Sequence, residues 1–155
     1  MMKAWRTSVA ALLLVCGCAA VPKEAPVPIR GHLVLDTDPD PLIARQAGDN
    51  LYEFDFDIVM REAGGVGVRI EDFTVEAIAF RAIVIRSQTL PASAITERGY
   101  PAAIAAGKYL RFHFVKRWNI PTALLPGASL HVIAHTIDAN GRRDTADVRI
   151  GVQVR

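Results

Sequence analysis

The sequence predicts an all-β protein, a single antiparallel β-sandwich of about seven strands, and three observations predict it. Apolar residues recur at every second position through several stretches, the period at which a strand shows one face to a core and the other to water. Gly, Pro, Asn and Asp interrupt those stretches at short intervals, as turns require. No long stretch carries the apolar spacing of an amphipathic helix, and a set of short strands buries its apolar faces best as two packed sheets.

The chain of 155 residues opens with the short, positively charged Met1-Met2-Lys3-Ala4-Trp5-Arg6, followed by an apolar run from Val9 to Val15. That combination marks a secretory signal, too short to span a bilayer as a mature helix. Val15-Cys16-Gly17-Cys18 closes it. These four residues resemble the lipobox of bacterial lipoproteins, in which a small residue precedes a cysteine that receives a diacylglycerol thioether and becomes the mature N-terminus. On that resemblance Gly17 and Cys18 fill the two places and Val15 the branched-apolar place. Cys16 cannot be the modified residue, because bulky Val15 would then sit at the cut. The resemblance implies removal of residues 1–17, lipidation of Cys18 with diacylglycerol and acyl chains such as palmitate, and a membrane as the first partner. Ala19 rather than Asp follows the cysteine, which by enterobacterial sorting rules implies the outer membrane, facing the periplasm. Cysteine usage agrees, since both cysteines lie in this segment and no disulfide can form later in the chain.

Residues 18–30 hold three prolines among Ala, Val, Lys and Glu and read as an extended tether of about 3 Å per residue. The precursor carries 18 Lys and Arg against 16 Asp and Glu; without Lys3 and Arg6 the two counts are equal. A mature chain without net positive charge has no electrostatic drive toward nucleic acid, and that class is excluded.

Residues 31–155 form the globular domain. Strand candidates begin at Gly31–Asp36 and Leu42–Arg45. Leu51 to Arg61 alternates cleanly, with Tyr52, Phe54, Phe56, Ile58 and Met60 on the core face and Glu53, Asp55 and Asp57 opposite. Gly64-Gly65 turns the chain into Val66–Ala79, whose apolar phase slips near Glu71-Asp72, so a bulge is expected there. Phe80–Ile85 continues that run or forms a separate strand. Ser87–Lys108, with Pro91 and Pro101, is too long for a bare loop and is expected to hold a short edge strand or helical turn, anchored by Ile104. Tyr109–Val115 alternates again, followed by Trp118. Leu130, Val132, Ala134 and Thr136 form the next inner face. Asp138-Ala139-Asn140-Gly141 is a hairpin in which Asn and Gly accept positive φ, leading into a last strand over Thr145–Val154.

Leu130 to Val154, LHVIAHTIDANGRRDTADVRIGVQV, resembles the late strands of bacterial immunoglobulin-like domains, and Leu124–Leu130 resembles the loop that feeds them. The resemblance implies an immunoglobulin-like or fibronectin-III-like sandwich, without the inter-sheet cysteines of antibody domains. It implies no binding residue, because this fold hosts unrelated functions.

Candidate chemistry is sparse. His131 and His135, four apart on a strand, sit about 13 Å apart on one face, too far to share a zinc ion; His113 on another strand could approach one of them. They read as solvent-facing residues. Asp36, Asp38 and Asp40 alternate through a Pro-containing loop that could hold calcium or approach Asp138 and Asn140, but a solvated turn is the simpler reading. Glu53, Asp55 and Asp57 read as a solvated face paired with Arg111 or Lys116. Ser87, Ser93 and Ser129 lack a patterned histidine. No nucleophile elbow, phosphate loop, dinucleotide fingerprint or zinc-protease motif exists, so no catalytic residue, cofactor or metal is expected. Tyr100, Trp118 and the Gly64–Gly67 loop could line one interaction rim, although a tryptophan at a strand end usually covers a core edge.

The expectation is therefore a noncatalytic envelope lipoprotein that binds an envelope protein through loops or a sheet edge, edge-strand addition being the easiest mode. The alternative is a small apolar or glycan ligand held between the sheets or under Ser87–Lys108.

Overall fold

A computed structural model describes residues 29–155; the signal segment, Cys18 and most of the tether lie outside the described residues. Nine strands and one short helix follow in the order β1 (Leu33–Asp38), β2 (Leu42–Gly48), β3 (Leu51–Glu62), β4 (Val68–Ala79), β5 (Ile83–Pro91), α1 (Ala92–Glu97), β6 (Ala103–Ile104), β7 (Tyr109–Asn119), β8 (Ser129–Asp138) and β9 (Arg143–Val154). A 3-10 turn over Thr122–Leu124 precedes β8.

Two sheets face each other. In the first, β1 and β2 lie in tandem along one edge of β3, and β7 pairs along the whole of its other edge. In the second, the order is β9-β8-β4, with β5 and β6 in tandem along the outer edge of β4. Every pairing is antiparallel except one: β2 runs parallel to β9 over Leu42–Ala44 and Val152–Val154, joining the sheets along one side. This is an immunoglobulin-like β-sandwich. The count exceeds the expected seven by β5 and β6, the two segments on the opposite, open side.

The core follows the alternation. Tyr52, Phe54, Phe56, Ile58 and Met60 are buried against Ile70, Phe73, Val75, Leu130, Val132 and Ala134 from the facing sheet. The pairing of β4 with β8 skips Glu71, going from Ile70↔Thr136 to Asp72↔His135. That bulge lets Val68 and Ile70 and then Phe73, Val75 and Ala77 all point inward despite the slipped phase. Phe112 of β7 is fully buried and is a hub: its ring lies 4.9 Å from Phe73 and 4.8 Å from Tyr100, and Arg98 stacks 5.7 Å over it.

Ser87–Lys108 holds both expected devices. It contains the end of β5, the helix α1 and the two-residue strand β6. Ile104 anchors it as expected, and buried Ile95 of α1 is a second anchor. The helix sits at Ala92–Glu97, and the alanine-rich Ala102–Ala106 piece is strand and turn, where pairing with Val68 and Arg69 outweighs alanine's helical preference.

The β8–β9 hairpin forms at the expected place with a different turn. Only Gly141 has positive φ, at 79°, and Asn140 does not. The Asp138 carboxylate explains this, since it accepts the backbone N–H groups of Asn140 at 2.8 Å and Arg142 at 2.9 Å and so sets the turn locally. It also accepts Gly31 N–H at 3.1 Å, fixing the arriving chain beside the hairpin. The Arg142 and other backbone bonds hold its pKa below the ordinary carboxylate value against the opposing effect of burial. Gly64 is needed for the same convergence, because a Cβ there would collide with the Arg30 carbonyl oxygen.

Candidate interaction site

The outward face of the first sheet is a closed ion-pair ladder. Asp57 accepts from Arg111 at 2.7 Å and contacts the His113 ring at 2.9 Å, and these two partners hold its pKa down. Arg111 also donates to Asp38 at 2.9 Å, Arg117 to Glu53 at 2.7 Å, and Arg45 lies 3.9 Å from Asp55. The pairing expected with Arg111 is present. Lys116 does not take part: it stands opposite Phe54 in register, on the inward parity, and Arg117 supplies the cation instead. Each carboxylate in the ladder is matched by a cation or a histidine ring.

The histidines are likewise paired. His131 contacts Asp147 at 2.9 Å and faces Glu76 at 3.7 Å, His135 contacts Asp72 at 2.8 Å, and His32 contacts Asp144 at 2.7 Å. His113 lies on the other sheet and does not approach His131 or His135. Among the described residues no group of three or more His, Cys, Asp or Glu side chains is arranged to hold a metal ion.

The Asp36-Asp38-Asp40 loop does not converge on Asp138 and Asn140. The strand β1 carries it away from the Gly31–Asp138 contact by roughly 20 Å at 3.3 Å per residue, and Pro41 ends beside Arg81 and Gly127 in a cleft at the other pole. Asp36 is occupied by the Thr37 N–H at 2.8 Å, and Asp38 by Arg111. Ser87, Ser93 and Ser129 make no side-chain hydrogen bond to a histidine among the described residues.

The aromatic rim does not form, and Trp118 covers a core edge as the simpler reading has it. Trp118 is buried at 6% exposure, its ring 5.3 Å from Phe54, and Tyr100 is half-buried on Phe112. Trp118 covers the core at one end of β7, while Gly64–Gly67 lies near the other end, about 30 Å away along the strand. A groove of about 550 Å³ does open by Val68, Ile104 and Gly141, beside β6 at the pole where the chain arrives from Arg30. It is a surface depression rather than a chamber between the sheets.

The exposed apolar surface is elsewhere, at the β4–β5 hairpin. The strands are joined by Phe80, Arg81 and Ala82, with Ala82 N–H donating to the Ala79 carbonyl at 3.2 Å. Phe80 and Arg81 have positive φ, 50° and 67°. Two consecutive left-handed residues define a tight hairpin turn normally built from Asn and Gly. A bulky aromatic there is strained by about 1 kcal/mol or more. The turn holds Phe80 at 60% exposure, with Ile83 at 54% and Val84 at 49% beside it. Arg81 and Arg86 lie in the same hairpin and Arg149 of β9 comes near its turn; all three are exposed, and none has a carboxylate within salt-bridge distance among the described residues. Arg149 reaches the Arg81 carbonyl at 3.4 Å.

Sequence reading missed this site because its usual signal is absent: Ala79-Phe80-Arg81-Ala82 contains neither Gly nor Asn and merges with the apolar run on both sides. Replacing Phe80-Arg81 with Asn-Gly is expected to raise stability by about 2 kcal/mol, and Tm by roughly 5 °C or more, as urea and thermal melts would show. A turn that folds no better with Asn-Gly would remove strain as a reason to single it out.

The two sheets, the tandem strands flanking β3 and β4 and the parallel β2–β9 closure define the class as an immunoglobulin-like β-sandwich. No family model matches the sequence, and no curated protein does. Solved structures share the fold. The putative ApaA protein from Bordetella pertussis superposes with a TM-score of 0.55 at 13% identity, over 81% of this chain and 98% of that one. The structural-genomics target SoR45 gives a TM-score of 0.53 at 11% identity, over 78% of this chain and 86% of the other. At such identities the likeness extends to the fold alone.

Proposed function

We propose that this protein is a noncatalytic, membrane-anchored interaction module of the bacterial cell envelope, cleaved before Cys18, lipidated on it, and held in the outer membrane facing the periplasm. The observation that carries the interaction role is the strained β4–β5 hairpin. Strain is retained in a fold when something other than stability selects it, and here it exposes three large apolar side chains together. Position supports the same reading. The chain arrives at the pole marked by Gly31 and Asp138, and β4 runs from there to the hairpin, roughly 36 Å away at 3.3 Å per residue. A tether from Cys18 would thus present the hairpin away from the bilayer and toward an envelope protein partner. The noncatalytic part is supported by the four histidine–carboxylate pairs having no serine side chain hydrogen-bonded to them among the described residues.

Two measurements test it. The intact mass of the protein from its native membrane is expected to match cleavage before Cys18 plus diacylglycerol and acyl groups, and Cys18→Ala is expected to release the chain from the membrane. An unlipidated mass would sink the anchor. A photocrosslinking residue at Phe80 is expected to trap a discrete envelope protein in cells, and the same probe at exposed Tyr109 is not. Equal capture from both places would sink the hairpin as the site.

A further inference from the structure

We infer that the outward face of the first sheet, at its end nearest the arriving chain, binds a neutral glycan. A sugar ring stacks on Tyr109 while its hydroxyls bond to Asp36, Arg61 and Arg111 across a floor made by Val59. The inference is independent of the hairpin reading: it lies at the opposite pole and takes a different class of ligand.

Strand register builds the site. Across β1, β3 and β7 one row is Val34, Arg61 and Tyr109, and the next is Asp36, Val59 and Arg111. Their chain neighbours Leu33, Leu35, Ile58, Met60 and Leu110 are buried, so all six of these alternate residues point outward. The row after them, Asp38, Asp57 and His113, begins the ion-pair ladder. Five of the six line a cleft of about 350 Å³, within the range of small-molecule sites, and Arg111 borders it. Half-buried Val59 is the floor. Tyr109 stands 70% exposed on one side and Val34 on the other, two strands or roughly 10 Å apart.

The polar groups on either side of Val59 are held in place before a ligand arrives. One oxygen of Asp36 accepts the Thr37 N–H at 2.8 Å, which orients the other. Arg111 is fixed through Nη1 by Asp38 at 2.9 Å and Asp57 at 2.7 Å, and its remaining N–H groups are donors. An acceptor and a donor flanking an apolar floor match the hydroxyls of a sugar ring, each of which both donates and accepts. The C–H face of the ring meets the electron-rich face of Tyr109. Other occupants fit less well. An anion meets Asp36, Asp38 and Asp57, and a cation meets Arg61 and Arg111. An apolar ligand strips water from Asp36 and Arg61 without replacing its hydrogen bonds. A protein interface needs about 800 Å² from each partner, and the face beyond the cleft is a ladder whose charges are already matched within the chain.

The test uses the full-length protein in a zwitterionic detergent, with N-acetylchitotetraose and cellotetraose as neutral probes and tetragalacturonate and chitosan tetramer as charged ones. Calorimetry is expected to show one or both neutral probes binding at least about tenfold tighter than either charged probe. Tyr109→Ala is expected to weaken that binding about tenfold or more, and Tyr109→Phe to keep it, since stacking needs the ring alone. Asp36→Ala is expected to weaken it, and Phe80→Ala, at the other pole, to leave it unchanged. All these positions are exposed, so the variants keep the fold, which circular dichroism would verify. No binding of either neutral probe at millimolar concentration overturns the inference. So does a charged probe that binds as tightly, or binding that survives Tyr109→Ala. A protein trapped by the crosslinker at Tyr109 also overturns it and assigns this face to a protein, whatever the result at Phe80.

Discussion

Phe112→Ala is expected to cost about 4 kcal/mol in urea unfolding, the largest single-residue effect we anticipate. Phe112 is fully buried at the point where both sheets and the open-side segment meet. Its truncation leaves a cavity facing Phe73 and removes the support for Tyr100 and Arg98. Domains of this size have only about 5–15 kcal/mol of stability to lose, so the variant should be substantially unfolded in mild denaturant. Because Tyr100 and Arg98 belong to the segment that shields β7, hydrogen exchange at the outer edge of β7 should accelerate beyond what global destabilisation explains. The neighbouring change Val115→Ala, on the exposed face of the same strand, should shift stability by about 0.5 kcal/mol or less. A similar cost for both substitutions would mean that Phe112 is not the hub described.

Glu62→Gln should cost about 3 kcal/mol, with a pH dependence that separates it from a packing defect. The Glu62 side chain is buried at the pole where the chain arrives, and its carboxylate accepts four backbone N–H groups: Gly64 at 2.6 Å, Gly107 at 2.8 Å, Gly65 at 3.1 Å and His32 at 3.3 Å. One ion thereby ties together the beginning of β1, the β3–β4 turn and the loop into β7. Burial alone would raise its pKa, but the four donors outweigh it, and the group titrates below its ordinary value of 4.5. A depressed folded-state pKa means that the stabilisation is complete above the unfolded value and drains away as pH falls through the folded one. Wild type should therefore hold its stability at neutral pH and lose it on acidification below about pH 4. Glutamine lacks the titration and offers an N–H₂ to donors that need an acceptor, so the gap between the two proteins should be widest at neutral pH and narrow in acid. A gap that stays constant with pH would count against the carboxylate as the source.

Most of the inner architecture was legible because it repeats locally. The alternation from Tyr52 to Met60, the slipped phase at Glu71 and the anchor at Ile104 each announce their burial within a few residues of sequence. Glu62 was legible in principle, since it shares the inward parity of Tyr52 through Met60, but an acid at a strand end is ordinarily solvated and nothing nearby names its four donors. The parallel pairing of β2 with β9 was not legible, because it joins residues more than a hundred apart and leaves no local trace. β5 showed only in part, as one of two readings of Phe80–Ile85, because Leu90 alone of its residues is fully buried and no alternation runs through it. The site suffers most from this. Its turn violates the residue preferences by which turns are found, so the feature that marks it in three dimensions conceals it in one.

The tandem placement of β1 and β2 along β3 has a mechanical consequence. Tension applied between the arriving chain at Arg30 and a partner gripping Phe80 would run along β1, parallel to the strands, and not across them. The ladder from Leu33↔Glu62 to Asp38↔Asp57 would then be loaded in shear, all of its hydrogen bonds sharing the force together, instead of being peeled one pair at a time. Such a domain resists being pulled from its ends better than its modest size suggests.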